Sequence, residues 1–243
     1  MPVNNHDIPQ SLNRWLLLGA KNVFSIPALI LMVSFVGFGS FARENGIGLF
    51  ETMLMTGSIW ALPAQVILTE NIAANTGVLT AAVAVGLSSI RLMPMVMALL
   101  PEIQNDRHRG IHYFVVISCV AITIWVFAMH RIKDIPRHAR ISYLAGFAGS
   151  LWICNVLITG IAHQLSGLVP PIIATALLFL MPLYFLITLP GAARGDADKF
   201  AFIFGVALGP ALFIYFPDYS LILTGLIGGT LAFIVTRFRR KST

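Results

Sequence analysis

The chain has 243 residues, 57% of them hydrophobic and only 11% charged, with a mean hydropathy of +0.84. A soluble domain carries about 25% charged residues, the surface that water needs to solvate it, so these proportions exclude an ordinary soluble fold. A net charge of +6 would point to nucleic acid in a soluble chain. Here the cations sit in short loops and at the C-terminus, which excludes nucleic acid and gives them a topological, headgroup-facing role.

Hydropathy and breakers divide the chain into an expected cytoplasmic N-terminal segment over residues 1–22, a polytopic transmembrane domain over 23–236 and a basic cytoplasmic tail over 237–243. The first residues (Asn4, Asn5, His6, Asp7) lack the basic stretch and short apolar core of a cleaved signal peptide, so the first span is expected to act as its own insertion signal. Spans are expected over Val23–Ala42 and Leu49–Leu68, then over Ile72–Leu100, which is too long for one straight crossing. Further spans are expected over Tyr113–Met129, Ile141–Ile161, Leu168–Leu189, Phe200–Phe216 and Tyr219–Thr236. Each approaches the roughly 20 residues that cross a hydrocarbon core of about 30 Å. In lipid the backbone must satisfy its own hydrogen bonds, so the segments are helices. The expected fold is an all-α integral membrane protein of about eight transmembrane helices, or seven if the second and third segments are partly re-entrant.

Charge orients the eight-span version. With both termini cytoplasmic, 12 of the 16 basic residues fall inside and 3 outside (Arg43, Arg107, Arg109), leaving Arg91 within a span. The positive-inside bias therefore favours this topology in a cell membrane.

Prolines 27, 63, 94, 170, 171, 182 and 210 lie inside spans or at their mouths. Proline removes a backbone donor and clashes one turn back, and lipid penalises the freed groups unless they face protein or a wet cavity. The prolines thus mark either local kinks or discontinuous helices around a central site. Gly146, Gly149, Gly225 and Gly229 have the small-residue spacing of close helix packing. Asn45-Gly46-Ile47 follows the first span as Ser166-Gly167-Leu168 follows the fifth, a faint sign of duplicated halves.

Polar side chains in a bilayer are costly, so each is a site candidate. Arg91, after Ser88 and Ser89 and before Pro94, has the planar fork that suits a carboxylate. It serves either an anionic substrate group or an ion pair with Glu51 or Glu70. Gln65, two residues after Pro63, and Asn155, in mid-span, either bond a ligand or hold helices together. Glu51, Glu70 and His163 are the candidates for coupling transport to protons, against a plain interfacial role. No span carries a carboxylate near its middle. Cys119 and Cys154 lie in apolar runs and imply neither a disulfide framework nor a zinc site. No nucleophile elbow, metalloprotease helix, phosphate-binding loop or metal-ligand set is present, so neither an enzyme nor a cofactor is expected.

Several stretches carry a resemblance: Phe38-Gly39 through Asn45-Gly46-Ile47-Gly48-Leu49 to Glu51, Trp60-Ala61-Leu62-Pro63-Ala64-Gln65, and Ser89-Ile90-Arg91-Leu92-Met93-Pro94. With Ala148-Gly149-Ser150-Leu151-Trp152 through Thr159-Gly160, and Ala176 through Pro182-Leu183, they cover most of the chain from about Phe35 onward. The chain resembles the AzlC-type branched-chain amino acid permeases. Ser89 stands where that family has asparagine and Leu92 where it has histidine; Pro63 interrupts its small-residue run, and its acidic motif is not evident around Ile111 to Val115. These departures bear on the substrate more than on the fold. The resemblance implies export of hydrophobic amino acids such as valine, leucine, isoleucine or methionine. It also implies a small AzlD-type membrane subunit as partner. Substrate binding is then assigned to Arg91, Gln65, Asn155, Ser89 and Ser88. A rival reading, a non-transporting scaffold or accessory subunit, draws on the loss of two motif polar residues. A lipid-acting membrane enzyme would need a convergent nucleophile and base that the sequence does not offer.

Overall fold

The computed structural model describes residues 12–90, 92–104, 110–119, 121–192, 196–215 and 219–241. These are helical almost throughout, with no strand among the described residues: α1 Leu12–Ala20, α2 Ile26–Glu44, α3 Leu49–Ser58, α4 Leu62–Ala73, α5 Val78–Ser89, α6 Leu92–Ile103, α7 Gly110–Ser118, α8 Ile122–Arg131, α9 Arg140–Leu165, α10 Pro171–Ala192, α11 Asp196–Tyr215 and α12 Ser220–Lys241. Three helical stretches (26–44, 137–168 and 196–215) are long and apolar enough to cross a bilayer, and a fourth results if α5 and α6, bent by 45° at their junction, form one span. Large apolar side chains stand bare, among them Phe50, Val78, Leu168 and Ile214, a surface that lipid solvates and water does not. The chain is an all-α membrane protein.

The expected second, third and fourth spans are each two helices, α3/α4, α5/α6 and α7/α8. Pro63 accounts for the first break, because it stands at the second position of α4, where its missing N–H costs nothing. The ends of α2 and α4 are closed by local chemistry. After α2, Gly46 takes the left-handed φ of 78°, which lets its N–H reach Arg43 O at 3.0 Å and that of Ile47 reach Ala42 O at 3.0 Å. Asn75, at φ 53°, closes α4 the same way through Thr76 N to Asn71 O at 3.0 Å. Both are Schellman ends, satisfying carbonyls that a helix terminus leaves unpaired.

The chain divides into two compact units, residues 1–181 and 182–243. In the first, α9 is the central mast. α2 crosses it so closely that a Cβ on Gly39 would lie 2.6 Å from Thr159 O. α1 lies across its first turns, with Gly19 on the Tyr143 carbonyl and Gly146 on the Leu16 carbonyl. Trp15 meets Tyr143 edge-on at 6.4 Å, and Asn22 Nδ2 donates to the Tyr143 hydroxyl at 2.8 Å. Leu99, Ile103, Val116, Ala128, Ile132, Ile141 and Leu144 form a buried cluster from α6 to α9. In the second unit α11 and α12 pack as a hairpin, with Gly228 against Phe204 and Gly205.

Of the glycines expected to mark close packing, Gly146 does so. A Cβ on Gly149, Gly225 or Gly229 would meet nothing within 4 Å among the described residues. A paired prediction follows. Gly146→Ala should cost about 1–3 kcal/mol, because the Leu16 backbone cannot yield as a side chain does. Gly149→Ala, one turn on, should be neutral or stabilising by up to about 1 kcal/mol. Thermal unfolding midpoints of the two variants in detergent test this, and equal midpoints would contradict the α1–α9 crossing.

Candidate functional site

The three broken pairs meet at one place. The residues joining α3 to α4 run extended, Ile59 at φ −104°, ψ 96° and Ala61 at φ −148°, ψ 102°. With Trp60, Leu62 and Pro63, Ala61 walls a pocket of about 30 Å³. Leu92, the first residue of α6, adds to that wall, as do Ala121 and Ile122 at the start of α8. Leu31 and Phe35 of α2 and Met181 of α10 complete it. Three helices therefore begin at one apolar pocket. A helix start leaves N–H groups unpaired and carries about half a positive charge, and neither α4 nor α8 spends a side chain on capping it. Trp60 adds a buried indole N–H with no acceptor among the described residues. The arrangement suits a small ligand with an anionic head and an apolar body. At about 30 Å³ the pocket is small and only partly enclosed.

The other side of the α3/α4 break is polar. Gln65 is fully buried; its Nε2 donates to Ile59 O at 2.6 Å, and its Oε1 lies 3.2 Å from the Thr56 hydroxyl. That hydroxyl is also 3.1 Å from Thr52 O and 3.5 Å from the Thr159 hydroxyl of α9. Thr56 has one proton to give. When it goes to Gln65, Thr159 donates to Thr56, and an ordered chain runs from α9 through α3 to the carbonyl exposed by the break.

Contacts of Gly160 with Met53, Thr159 with Thr56 and Trp152 Nε1 with Gly57 O show α3 running antiparallel to α9. This register puts Asn155, one turn before Thr159, level with the end of α3 and the break. Asn155 is fully buried, and neither its Nδ2 nor its Oδ1 has a partner among the described residues. Leaving a buried polar atom unmade costs about 1–3 kcal/mol, so this carboxamide has both a donor and an acceptor to offer a ligand.

The remaining expected site residues are dispersed. Arg91 lies outside the described residues. Ser88 is buried with its hydroxyl unpartnered, while Ser89 donates to Val85 O at 2.9 Å, one turn back in its own helix. Glu51 and Glu70 are exposed at the start of α3 and near the end of α4. His163 is buried, and since a carbonyl only accepts, its Nε2 carries the proton given to Ile47 O at 2.8 Å. Of the described ones, none of Ser88, Ser89, Glu51, Glu70, His163, Gln65 and Asn155 walls the apolar pocket. Thr52, Thr56 and Trp60 are the residues a reading for charge and amide groups passes over. Their signal was one of position: Thr52 and Thr56, like Asn155 and Thr159, stand four residues apart on single helix faces. No group of three or more His, Cys, Asp or Glu capable of holding a metal occurs among the described residues, and Cys119 and Cys154 are free.

Comparison with known families finds one match: residues 27–169, more than half of the chain, match the family described as AzlC protein. The match ends with the turn after α9, so the likeness seen around Ala176 to Leu183 lies beyond it. No curated protein and no solved structure matches the chain.

Proposed function

The chain belongs to the AzlC family, and from that premise we propose that it is a secondary transporter exporting branched-chain and other hydrophobic amino acids. The observation that supports this best is the meeting of three helix starts on one apolar pocket. In this reading the substrate carboxylate sits at the starts of α4, α6 and α8, and Arg91, next to Leu92 in the sequence, is its proposed guanidinium partner. The side chain lies against Leu31, Phe35 and Met181. Asn155, at the level of the same break but behind the wall of the pocket, takes the ammonium through its free Oδ1 once the pocket opens. Gln65 keeps the break in shape from behind. Ser88 and Ser89, just before Arg91 in the sequence, complete the proposed binding set, and Glu51, Glu70 and His163 remain the coupling candidates. The broken pairs each count as one crossing, giving eight spans with both termini in the cytoplasm of a cell whose inner membrane holds the protein. A small AzlD-type subunit belongs to this reading as the partner that the family likeness implies.

Transport requires the pocket to open, because an amino acid does not fit in about 30 Å³. The same small volume is what favours the rival reading, a scaffold that moves nothing. The test is efflux of labelled valine, methionine, alanine and glutamate from loaded cells expressing the chain with and without the small subunit. Valine and methionine should leave faster than in empty cells, glutamate should not. Neighbouring apolar substrates should differ by about 10- to 200-fold at most for each methylene. Unchanged efflux of every apolar amino acid with the subunit present would leave the scaffold reading standing.

A further inference from the structure

The N-terminal helix presents a second surface that transport does not use. Its inner face, Trp15 and Gly19, is buried on the first turns of α9. Its outer face carries Arg14, Leu17, Leu18 and Lys21, spaced to lie along one side of a helix. With Ala20 and Phe24 these line a shallow concavity of about 530 Å³. Leu17 is 61% exposed and Phe24 78%. Two cations stand seven residues apart over an apolar floor, and no ion pair of either is seen among the described residues. Nearby, Asn22 bonds the Tyr143 hydroxyl, and Arg131, Lys133 and Arg137 gather just before α9 begins. A nine-residue helix is too short to span. Lying across the end of a membrane helix, with cations and bare apolar groups on one face, it has the composition of a helix held at the headgroup level.

We infer that this concavity is a binding site for an anionic phospholipid, its phosphate held between Arg14 and Lys21 and its first acyl carbons laid over Leu17, Leu18 and Phe24. Charge decides the occupant: a neutral lipid leaves both cations uncompensated, and a free phosphate leaves the apolar floor bare. Each cation near an anionic headgroup contributes about 1 kcal/mol, so two give a preference of about 30-fold.

The experiment uses the full-length protein in neutral detergent, titrated with short-chain phosphatidylglycerol and phosphatidylcholine, with bound lipid read by native mass spectrometry. Phosphatidylglycerol should bind about 30-fold more tightly. The Arg14→Gln, Lys21→Gln double variant should bring the two lipids to within about threefold, and Lys21→Glu should remove the preference by itself. Leu17→Ser with Leu18→Ser should weaken both lipids while keeping their ratio. All four side chains are exposed, so the thermal midpoint should hold in every variant, and a variant that melts early is replaced by its single-site form. Equal affinity of the wild type for the two lipids overturns the assignment, as does a preference untouched by the double variant. Displacement of phosphatidylglycerol by inorganic phosphate at equal concentration would make it a phosphate site and overturn the lipid.

Discussion

Gln65→Leu should lower stability by about 1–3 kcal/mol and reduce transport on the order of 100-fold, the larger loss being functional. Leucine fills a similar volume but makes neither bond of the amide. Ile59 O then loses the donor at 2.6 Å, in a segment whose neighbouring backbone cannot supply another. Thr56 loses its acceptor at 3.2 Å and turns its proton to Thr52 O at 3.1 Å, so the chain from Thr159 no longer reaches the break. The one buried carbonyl left unmade costs about 1–3 kcal/mol. The functional loss follows from geometry: Ala61, Leu62 and Pro63 wall the pocket on the opposite side of the same break, and a shift of about 1 Å in positioning groups is worth about 10²-fold. Gln65→Glu keeps the shape, and at this fully buried position the neutral acid is the form that fits: its O–H donates to Ile59 O and its carbonyl oxygen accepts from Thr56, though with altered geometry. It should fall between wild type and Gln65→Leu in both readouts. Thermal unfolding and initial efflux rates of the three proteins check this. A Gln65→Leu protein with wild-type midpoint and efflux would mean that the break is held by something else.

The segments expected to cross the membrane all reappear as helices or helix pairs, because apolar runs bounded by polar loops are a long-range signal that survives any detail of packing. The breaks were legible only where chemistry marks them. Pro63 announces the one in the second segment, and excess length announces the one in the third. Nothing in Ile117-Ser118-Cys119 or Ala121-Ile122 announces that α7 ends and α8 begins there, since neither proline nor glycine is involved and the cause is tertiary. The close crossings were legible in kind but not in place. Gly146 packs, whereas Gly149, on the same helix, faces open space, because spacing along a helix does not say which stripe meets a neighbour. α1 lay within a segment read only as a cytoplasmic lead. Nine residues with Arg14 among them fall below any span criterion, and its partner surface on α9 is more than a hundred residues away. In the site, Gln65 and Asn155 were found because amides are rare in lipid, but their roles were not. One has both ends engaged and the other has neither, a distinction that hangs on Thr56 and Thr159, hydroxyls too common in membrane helices to stand out.

Arg140→Ala should destabilise the protein by about 3–5 kcal/mol, the range for removing one member of a buried charged network. Arg140 is 7% exposed at the first residue of α9. Its Nε donates to Ile135 O at 3.0 Å, and its Nη1 to Glu102 O at 2.6 Å and the Glu102 carboxylate at 3.3 Å. Two of these three acceptors are backbone carbonyls. One of them belongs to the last turn of α6, where a cation also meets the negative end of the helix. The carboxylate is the weakest member, longest in distance and with Glu102 about a third exposed. Glu102→Gln should therefore cost at most about 1 kcal/mol, as exposed pairs do, and the asymmetry between the two variants is the measurement that matters. If Glu102→Gln costs as much as Arg140→Ala, the ion pair and not the carbonyl clamp carries the energy. The clamp also reaches the pocket. α6 is pinned at its far end by Arg140 and by the Leu99, Ile103, Ile141 and Leu144 contacts, while Leu92 at its near end is a pocket wall. In the transport reading, rotation of α6 about that fixed end is one way for the pocket to open. Arg140→Lys, which keeps the charge but loses the fork, should then slow efflux more than its smaller stability loss accounts for.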